Sequence, residues 1–318
     1  MTTKGSCTIS TNGIDMHIVE AGEGPPVVLC HGFPELSYSW RHQLPALAAA
    51  GYHAVAPDQR GYGRTSRPEE PEAYDILHLT DDLLGLLDAL GEDQATFVGH
   101  DWGSIVVWNL ALLAPERVRG VVGMSVPFVR RPQHPPTEIL RRIYSDSWFY
   151  ILYFQDPGVA DADLGRDPAT TIRRFLCTLD GSTLSRDMSG LAGARDERGM
   201  VERMPEPEGL PDWLTQADLD RFVDEFTRTG FTGGINWYRN LDRNWELTPH
   251  LAGAKVTVPA LFVAGGVDPV LLFTPRDAMY ESVPDLRGEV IIDGAGHWVQ
   301  QERPVDVNHA LIEFLRGL

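Results

Sequence analysis

The sequence predicts an α/β fold, with a mostly parallel central sheet flanked by helices and a mainly helical segment inserted into it. Short apolar runs rich in β-branched residues alternate with longer helical patterns from the start of the chain to about Phe128, and again from about Thr257 to its end. Such alternation is typical of a parallel sheet covered on both faces. Residues 129–250 break this alternation, because they are mainly helical in pattern and rich in aromatic and charged side chains.

The predicted elements follow one another in an order that suits this fold. Apolar runs with the length and composition of buried strands lie at residues 27–30, 54–57, 95–99, 118–126, 260–264 and 289–292. Helical patterns end near Gly51 and cover residues 77–90, 105–114 and 305–316. The leucines of residues 77–90 recur every three or four positions and are followed by Gly91, which predicts an amphipathic helix that ends at this glycine.

The length of 318 residues suits one large domain with an insertion better than two independent domains. We therefore expect residues 1–128 and 251–318 to form the core domain and residues 129–250 to form a helical cap. The segment 205–211 holds three prolines and two glutamates, so it is expected to be an extended surface loop.

Composition limits the partners of the protein. A formal net charge of −18 argues against nucleic acid or an anionic membrane as a partner. The three cysteines are odd in number and widely spaced, which predicts neither a disulfide framework nor a zinc site and favours a reducing compartment. There is no apolar leader and no run long enough to span a bilayer, so we expect a cytoplasmic protein. A homo-oligomer is neither predicted nor excluded.

Residues 98–104 hold a Gly-x-Asp-x-Gly turn between a predicted strand and a predicted helix. In that context the central residue, Asp101, is expected on a strained elbow where glycine neighbours allow close backbone approach. A carboxylate with an ordinary pKa of about 3.9 is ionised at neutral pH, so it attacks an electrophilic carbon without a base. The start of the following helix also favours the anion. The alternative is an ordinary tight turn whose aspartate caps the helix.

Two further residues lie where the partners of such a nucleophile are expected. Asp268 follows the predicted strand at 260–264, and His297 lies in a glycine-rich loop before the last helix. Nucleophile, acid and base thus follow one another in the chain order known for elbow-type triads. Asp268 is predicted to orient His297, and His297 to activate the water that hydrolyses an ester on Asp101. A histidine in a loop is, taken alone, more often a surface residue.

The loop after the first predicted strand, residues 30–35, predicts an oxyanion site. Its Gly-Phe-Pro run can aim the Phe33 N–H at the elbow, where the Trp102 N–H is the expected second donor for a tetrahedral intermediate. The Phe33–Pro34 bond is a candidate for the cis form, because only a bond to proline adopts that form at low cost. A structural proline turn is the alternative for Pro34.

These motifs together resemble the soluble epoxide hydrolases of the α/β-hydrolase superfamily. The resemblance covers nearly the whole chain and is carried by residues 31–35, 58–63, 99–103, 150–158, 236–240 and 296–298. It implies an α/β-hydrolase fold and the conversion of an epoxide and water to a vicinal diol through an ester on Asp101. It also implies a bacterial member similar to the mammalian and plant enzymes, without the N-terminal phosphatase domain of the mammalian ones.

In that family two cap tyrosines bind the epoxide oxygen, and the matching residues here are Tyr150 and Tyr238. Ring opening expels an alkoxide, which is a poor leaving group unless it is hydrogen-bonded and protonated. A phenol with a pKa of about 10 is protonated at neutral pH and still acidic enough to donate. Without the resemblance, a cap aromatic is more often part of a core, and the nearby Tyr153 is assigned to packing.

Other residues are given supporting roles. Large aromatic side chains indicate an apolar pocket for a lipophilic epoxide, and they are Phe33, Trp102, Trp148, Phe149, Phe154 and Trp237. Glu35 and His100 are candidates for tuning His297 through hydrogen bonds, and residues 58–63 are interpreted as structural. Because the chain has no metal-ligand spacing and no Gly-x-Gly-x-x-Gly turn after the first predicted strand, no metal and no cofactor are expected.

Two other functions remain open on the residues. A haloalkane dehalogenase shares the aspartate nucleophile, the Trp102 position and the histidine base, but it commonly carries a polar halide-binding residue where Phe33 stands. A non-catalytic ligand-binding protein on a hydrolase scaffold would need no complete catalytic set, yet here every expected role has a residue. A serine esterase is disfavoured, because Ser104 is not at the centre of the elbow.

Overall fold

Strands form two sheets in this computed structural model, which describes residues 3–181 and 190–318. The strands are β1 (Thr3–Thr11), β2 (Ile14–Ala21), β3 (Pro26–Cys30), β4 (His53–Pro57), β5 (Ala95–His100), β6 (Val118–Met124), β7 (Ser147–Phe149), β8 (Ala192–Ala194), β9 (Ala260–Gly265) and β10 (Leu286–Ile292). Eight of them form the central sheet in the order β1-β2-β4-β3-β5-β6-β9-β10. The pairings from β4 through β10 are parallel, which confirms the predicted mostly parallel sheet.

The antiparallel edge of this sheet is a feature that the sequence analysis missed. β1 pairs with β2, and β2 pairs with β4, both antiparallel. β1 is rich in threonine and serine and largely exposed, because it lies at the edge of the sheet with one neighbour. It therefore lacks the continuous apolar run that marks the buried parallel strands, and no strand was predicted before residue 27.

The helices cover the sheet and fill the segment between β6 and β9. They are α1 (Gln43–Ala49), α2 (Ile76–Leu90), α3 (Trp102–Leu113), α4 (Pro136–Ile143), α5 (Tyr150–Tyr153), α6 (Val159–Gly165), α7 (Pro168–Thr178), α8 (Met200–Arg203), α9 (Gln216–Thr229), α10 (Thr232–Arg239), α11 (Leu241–Leu247), α12 (Val270–Phe273), α13 (Asp277–Ser282), α14 (Val299–Glu302) and α15 (Pro304–Arg316). Among the helices of residues 3–181 and 190–318, none combines the length and the apolar composition that a bilayer-spanning helix needs.

Local signals explain the bounds of the helices on either side of β5. α2 begins after Asp75, whose side chain accepts the His78 N–H at 3.1 Å, and it ends at Gly91, which has the left-handed φ of 73°. α3 begins at Trp102, three residues before the predicted start, because the strand passes through Asp101 directly into the helix.

Two apolar cores lie on the two faces of the sheet. One contains Leu47 of α1 and Leu311 of α15, both fully buried. The other contains Leu83 of α2 and Val106 of α3, and it continues into the helices between β6 and β9 through residues such as Phe222 of α9. Strand β3 is thus covered on both faces, which is why residues 27–30 form a continuous apolar run.

Residues 125–259, between β6 and β9, are called the insert below. They contain α4 to α11 and the two-stranded sheet of β7 and β8. The cap bounds of 129–250 stay a prediction, and residues 182–189, which fall within them, lie outside the described residues.

Helix α10 rests directly on a loop of the core. The Trp237 indole N–H donates to the Arg60 carbonyl oxygen at 3.1 Å. A Cβ atom on Gly233 would lie 2.3 Å from the carbonyl oxygen of Gly61, so the two backbones are in contact and no side chain fits between them. The loop at 58–63 therefore supports the part of the insert that carries Tyr238.

Candidate active site

β5 passes into α3 through Asp101, which has a φ of 53° and a ψ of −119°. A positive φ is rare outside glycine and marks strain that the surrounding structure must hold. Two glycines make the turn possible. A Cβ atom on Gly99 would lie 2.1 Å from the Gly103 carbonyl oxygen, and one on Gly103 would lie 2.1 Å from that of Cys30. The turn predicted at residues 98–104 thus has the geometry of a strained strand-to-helix elbow.

The Asp101 carboxylate lies between backbone N–H donors and the loop after β3. The Phe33 N–H donates to Oδ1 at 2.8 Å, and the Trp102 N–H also bonds to the carboxylate. A Cβ atom on Gly32 would lie 2.4 Å from Oδ1, so only glycine allows this approach. The Phe33–Pro34 bond is cis. The N–H groups of Phe33 and Trp102, which the sequence predicts as oxyanion donors, therefore both bond to the Asp101 carboxylate.

His297 lies between two carboxylates. Its Nε2 is 3.7 Å from Oδ2 of Asp101, and its Nδ1 is 3.2 Å from both oxygens of Asp268. Asp268 is buried and also accepts the Val270 N–H at 2.9 Å. Three residues that are far apart in the chain thus meet at the carboxyl ends of parallel strands.

The electrostatics of the three groups are coupled. Burial lowers the pKa of His297, but the charges of Asp268 and Asp101 outweigh burial and raise it to about 9. Burial raises the pKa of Asp101 above its ordinary value, against the opposing charge of His297. For Asp268, burial is outweighed by the charge and hydrogen bond of His297, which lower its pKa. At neutral pH His297 is therefore an imidazolium that faces Asp101.

Tyr150 and Tyr238 lie above the elbow, on α5 and α10. The centre of the Tyr238 ring is 5.0 Å from that of Trp102 and 5.8 Å from that of Tyr150. Burial raises the pKa of both phenols, and the negative charge of Asp101 raises it further. Both tyrosines are therefore held in the protonated form, which is the form that donates a hydrogen bond. The Tyr153 hydroxyl instead donates to Asp163 at 3.2 Å, within the insert.

The aromatic residues named from the sequence divide into two groups. Phe33 and Phe154 pack edge-on against Tyr238, with ring centres 5.6 and 4.9 Å from it. Trp237 packs against Trp102 at 5.9 Å and is fully buried. The ring of Tyr238 is thus contacted by Phe33, Phe154 and Trp102, and Trp237 packs against Trp102.

The second group lies farther along the insert. Trp148 lies under the Arg203 guanidinium, which is 4.4 Å from the centre of its ring. Phe149 stacks on Tyr144 at 4.0 Å and contacts Tyr150 edge-on at 5.1 Å. Phe149 thus supports one of the two phenols, whereas Trp148 packs within the insert.

Glu35 and His100 form a fully buried pair behind the histidine loop. His100 Nδ1 is 2.6 Å from the Glu35 carboxylate, and its Nε2 is 2.8 Å from the backbone oxygen of His297. Burial alone would raise the pKa of Glu35, but the charge and hydrogen bond of His100 lower it to about 2. His100 thus bonds to the backbone of His297, and its ring also packs against the His297 ring, with the ring centres 4.8 Å apart.

Sequence reasoning missed two residues that bond to this loop. The Ser125 hydroxyl donates to the His297 carbonyl oxygen at 3.0 Å, and Ser125 has a positive φ of 64°. Glu302 accepts the N–H groups of Gly296 and Trp298 at 2.8 and 2.9 Å. A polar residue directly after β6 was the available signal for Ser125. No side-chain motif marks Glu302, because its partners are backbone groups.

Comparison with known proteins agrees with this geometry. The family model described as alpha/beta hydrolase fold matches residues 25–304. The chain is 57% identical to "Epoxide hydrolase A" of Mycobacterium tuberculosis, over 98% of this chain and 97% of that one. It is 41% identical to "Bifunctional epoxide hydrolase 2" of Sus scrofa, over 95% of this chain but 53% of that protein.

Solved structures give the same result. The crystal structure of Epoxide Hydrolase A from Mycobacterium thermoresistibile superposes with a TM-score of 0.95 at 57% identity, over 99% of this chain and 98% of that one. A fold match at this identity and coverage extends to the whole arrangement of sheet and insert. The chain therefore belongs to the epoxide hydrolases of the α/β-hydrolase fold family, which are hydrolases that act on ether bonds.

Proposed function

We propose that the chain converts a lipophilic epoxide and water to a vicinal diol through a covalent ester on Asp101. The observation that carries this proposal is that the two oxygens of that carboxylate have different neighbours. Oδ1 accepts the Phe33 N–H at 2.8 Å, whereas Oδ2 is the oxygen that lies 3.7 Å from His297 Nε2. Oδ2 is the oxygen that attacks, and Oδ1 becomes the carbonyl oxygen of the ester.

In the first step Oδ2 forms a bond to one epoxide carbon as the bond between that carbon and the ring oxygen breaks. The ring oxygen takes a proton from Tyr150 or Tyr238, because an alkoxide is far more basic than a phenolate. Asp101 lies below the phenols, so attack and protonation come from opposite sides of the ring. The products of this step are an ester of Asp101, a hydroxyl group and one phenolate.

Formation of the ester changes His297. The charge of Asp101 is one of the causes that raise the pKa of His297 to about 9, and the neutral ester removes this cause. The pKa of His297 therefore falls, and its proton returns through solvent to the phenolate. A neutral imidazole is then present only after alkylation, which is when a base is needed.

In the second step water attacks the carbonyl carbon of the ester and His297 Nε2 takes its proton. The negative charge that develops on Oδ1 meets the N–H groups of Phe33 and Trp102, which already point at this atom or its carboxylate. The intermediate then collapses: the bond between the carbonyl carbon and the alkoxide oxygen breaks, and this oxygen takes the proton of the hydroxyl group that water added. The diol leaves with the oxygen that Asp101 supplied. The carboxylate and the imidazolium are restored.

Two product assays test this function. We expect the protein to form phenylethanediol from styrene oxide and to release no halide from 1-bromobutane. Bromide release would support the haloalkane dehalogenase alternative, and neither product would support the non-catalytic ligand-binding alternative. The relatives quoted above bear epoxide hydrolase names, which supports the first outcome.

The cytoplasm is the location we propose, from the composition alone.

A further inference from the structure

The loop that carries His297, residues 293–298, belongs to no helix or strand, so hydrogen bonds must fix its backbone. The His297 N–H donates to the carbonyl oxygen of Leu179 at 2.8 Å. Its own carbonyl oxygen accepts from Ser125 Oγ at 3.0 Å and lies 2.8 Å from His100 Nε2. These bonds hold the residue itself, and the N–H groups on either side of it need another acceptor.

That acceptor is the carboxylate of Glu302, a residue that is only 6% exposed. Its Oε2 accepts the Gly296 N–H at 2.8 Å and the Gly181 N–H at 3.0 Å, and its Oε1 accepts the Trp298 N–H at 2.9 Å. One carboxylate thus binds the N–H groups before and after His297 and also reaches a residue of the insert. Hydrogen bonds to an ionised acceptor are about twice as strong as neutral ones.

The contact between the loop and the insert is backbone against backbone. A Cβ atom on Gly296 would lie 2.4 Å from the Gly181 nitrogen and 2.4 Å from the Leu179 carbonyl oxygen. The Trp298 indole N–H donates to the Leu176 carbonyl oxygen at 3.0 Å. Residues 176–181 therefore fit tightly against the loop, and the side chains of Trp298 and Glu302 both bond across this contact.

Burial raises the pKa of Glu302 to about 7, although the N–H groups of Gly296 and Gly181 lower it, and the charge of the neighbouring Asp180 adds to the rise. The adjacent guanidinium of Arg303 is directed at the Gly294 carbonyl oxygen. Burying a charged carboxylate costs free energy, so a buried glutamate with a raised pKa points to a role beyond packing.

We propose that Glu302 is a positioning residue for the hydrolysis step, holding His297 over the ester on Asp101 and tying that position to residues 176–181 of the insert. The inference rests on the proposed function, because hydrolysis uses His297 as a base and alkylation does not. A misplacement of about 1 Å costs about 100-fold in a proton transfer that depends on geometry. Loss of the Glu302 carboxylate should therefore slow the second step selectively.

The test measures the two steps separately in Glu302→Gln. An amide has one oxygen in place of two, so at least one of the three N–H groups loses its acceptor. In single-turnover mixing with styrene oxide, we expect alkylation within about threefold of the wild-type rate and hydrolysis slower by about 10- to 100-fold. The ester then accumulates in quenched samples, where intact-protein mass shows it. Rates are expressed per active site, from the amplitude of ester formation.

Two further variants make the result specific. Glu302→Asp keeps the charge but is one methylene shorter, so it should show the same selective loss to a smaller degree, and it replaces the glutamine variant if that protein does not fold. Glu313→Gln makes the same chemical change at an exposed position on α15 and should leave both rates unchanged. A purely structural role would lower the active fraction and leave the ratio of the two rates as in the wild type, which would overturn the inference.

Failure of the covalent route shows itself differently. In that case His297→Gln gives no protein adduct at all, and the role of Glu302 is judged from kcat. His297 would activate water on a direct route as well, so kcat of Glu302→Gln must still fall by about 10- to 100-fold. On that direct route, an unchanged kcat would overturn the inference.

Discussion

At the scale of the residue, the two phenols differ in burial but serve the same oxygen in our account. Tyr238 is 4% exposed and Tyr150 is half-buried, and the pKa of each is raised by burial and by Asp101. We expect Tyr150→Phe and Tyr238→Phe each to lose about 10-fold in kcat/KM, because one donor remains. The double variant should lose at least about 1000-fold, within the range of general-acid catalysis.

The control for the phenols is Tyr153→Phe, which removes a hydroxyl bonded to Asp163 at 3.2 Å and away from the elbow. It should retain wild-type kcat/KM in the styrene oxide assay. Wild-type activity in the double variant would refute the assignment of the phenols as proton donors.

The imidazole of His297 is needed only in the second step of our mechanism. His297→Gln should therefore alkylate and then stop, leaving protein heavier by one substrate mass, with the addition on the peptide that contains Asp101. Intact-protein and peptide mass spectrometry measure this directly. His309→Gln, whose side chain is exposed on α15, should turn over normally and show no adduct. An intact, substrate-binding His297→Gln protein without adduct would contradict the mechanism.

Some site residues could be found from sequence because each follows an apolar strand. Asp101 and Asp268 follow β5 and β9, and a parallel sheet brings the carboxyl ends of its strands to one edge. Ser125 also follows a strand, but one serine after β6 matches no catalytic pattern. Glu302 binds backbone N–H groups, whose positions depend on the folded loop and leave no trace in side-chain spacing.

At the scale of the element, the elbow depends on glycines at both ends of the turn. Gly103→Ala would place a Cβ atom 2.1 Å from the Cys30 carbonyl oxygen and 2.6 Å from that of His31. Because the backbone must move, we expect the free energy of unfolding to fall by about 1–3 kcal/mol. We also expect the variant to lose most of its activity. Urea denaturation and the diol assay measure the two losses.

Gly209→Ala is the matched control for the elbow, because a Cβ atom there meets nothing within 4 Å. Its unfolding midpoint and activity should equal those of the wild type. A Gly103→Ala protein as stable and active as this control would mean that the turn relaxes freely and that the strain at Asp101 is not held by its glycines.

The elements most faithfully predicted are those whose burial is uniform. All five residues of β3 and all six of β9 are buried, so an apolar run marks each strand. The β1–β2 hairpin is different, because β1 exposes most of its side chains and carries polar residues that also suit loops. The start of α3 was placed late because an elbow has no separate capping residue, and Asp101 serves the site instead.

At the scale of the whole molecule, the buried His297 makes stability depend on pH. Its pKa is raised from 6.5 to about 9 in the folded protein, so the folded state binds this proton more tightly than the unfolded chain. The resulting stabilisation is fully present below pH 6.5 and is lost as the pH rises through about 9. We expect the stability advantage of the wild type over His297→Gln to decline across this interval.

Urea denaturation of both proteins at several pH values measures this difference, since the other groups titrate in both. A difference that stays constant or grows between neutral pH and pH 9 would mean that the pKa of His297 is not raised in the folded protein.

The most direct test of the covalent route follows oxygen through one turnover. Excess enzyme meets one equivalent of epoxide in water labelled with heavy oxygen, and the diol and the peptide containing Asp101 are analysed by mass. We expect an unlabelled diol in this first turnover and label in the Asp101 side chain, because water attacks the carbonyl carbon of the ester and the diol leaves with the aspartate's oxygen. A fully labelled first diol with an unlabelled Asp101 would show that water attacks the epoxide directly and that no ester forms on Asp101.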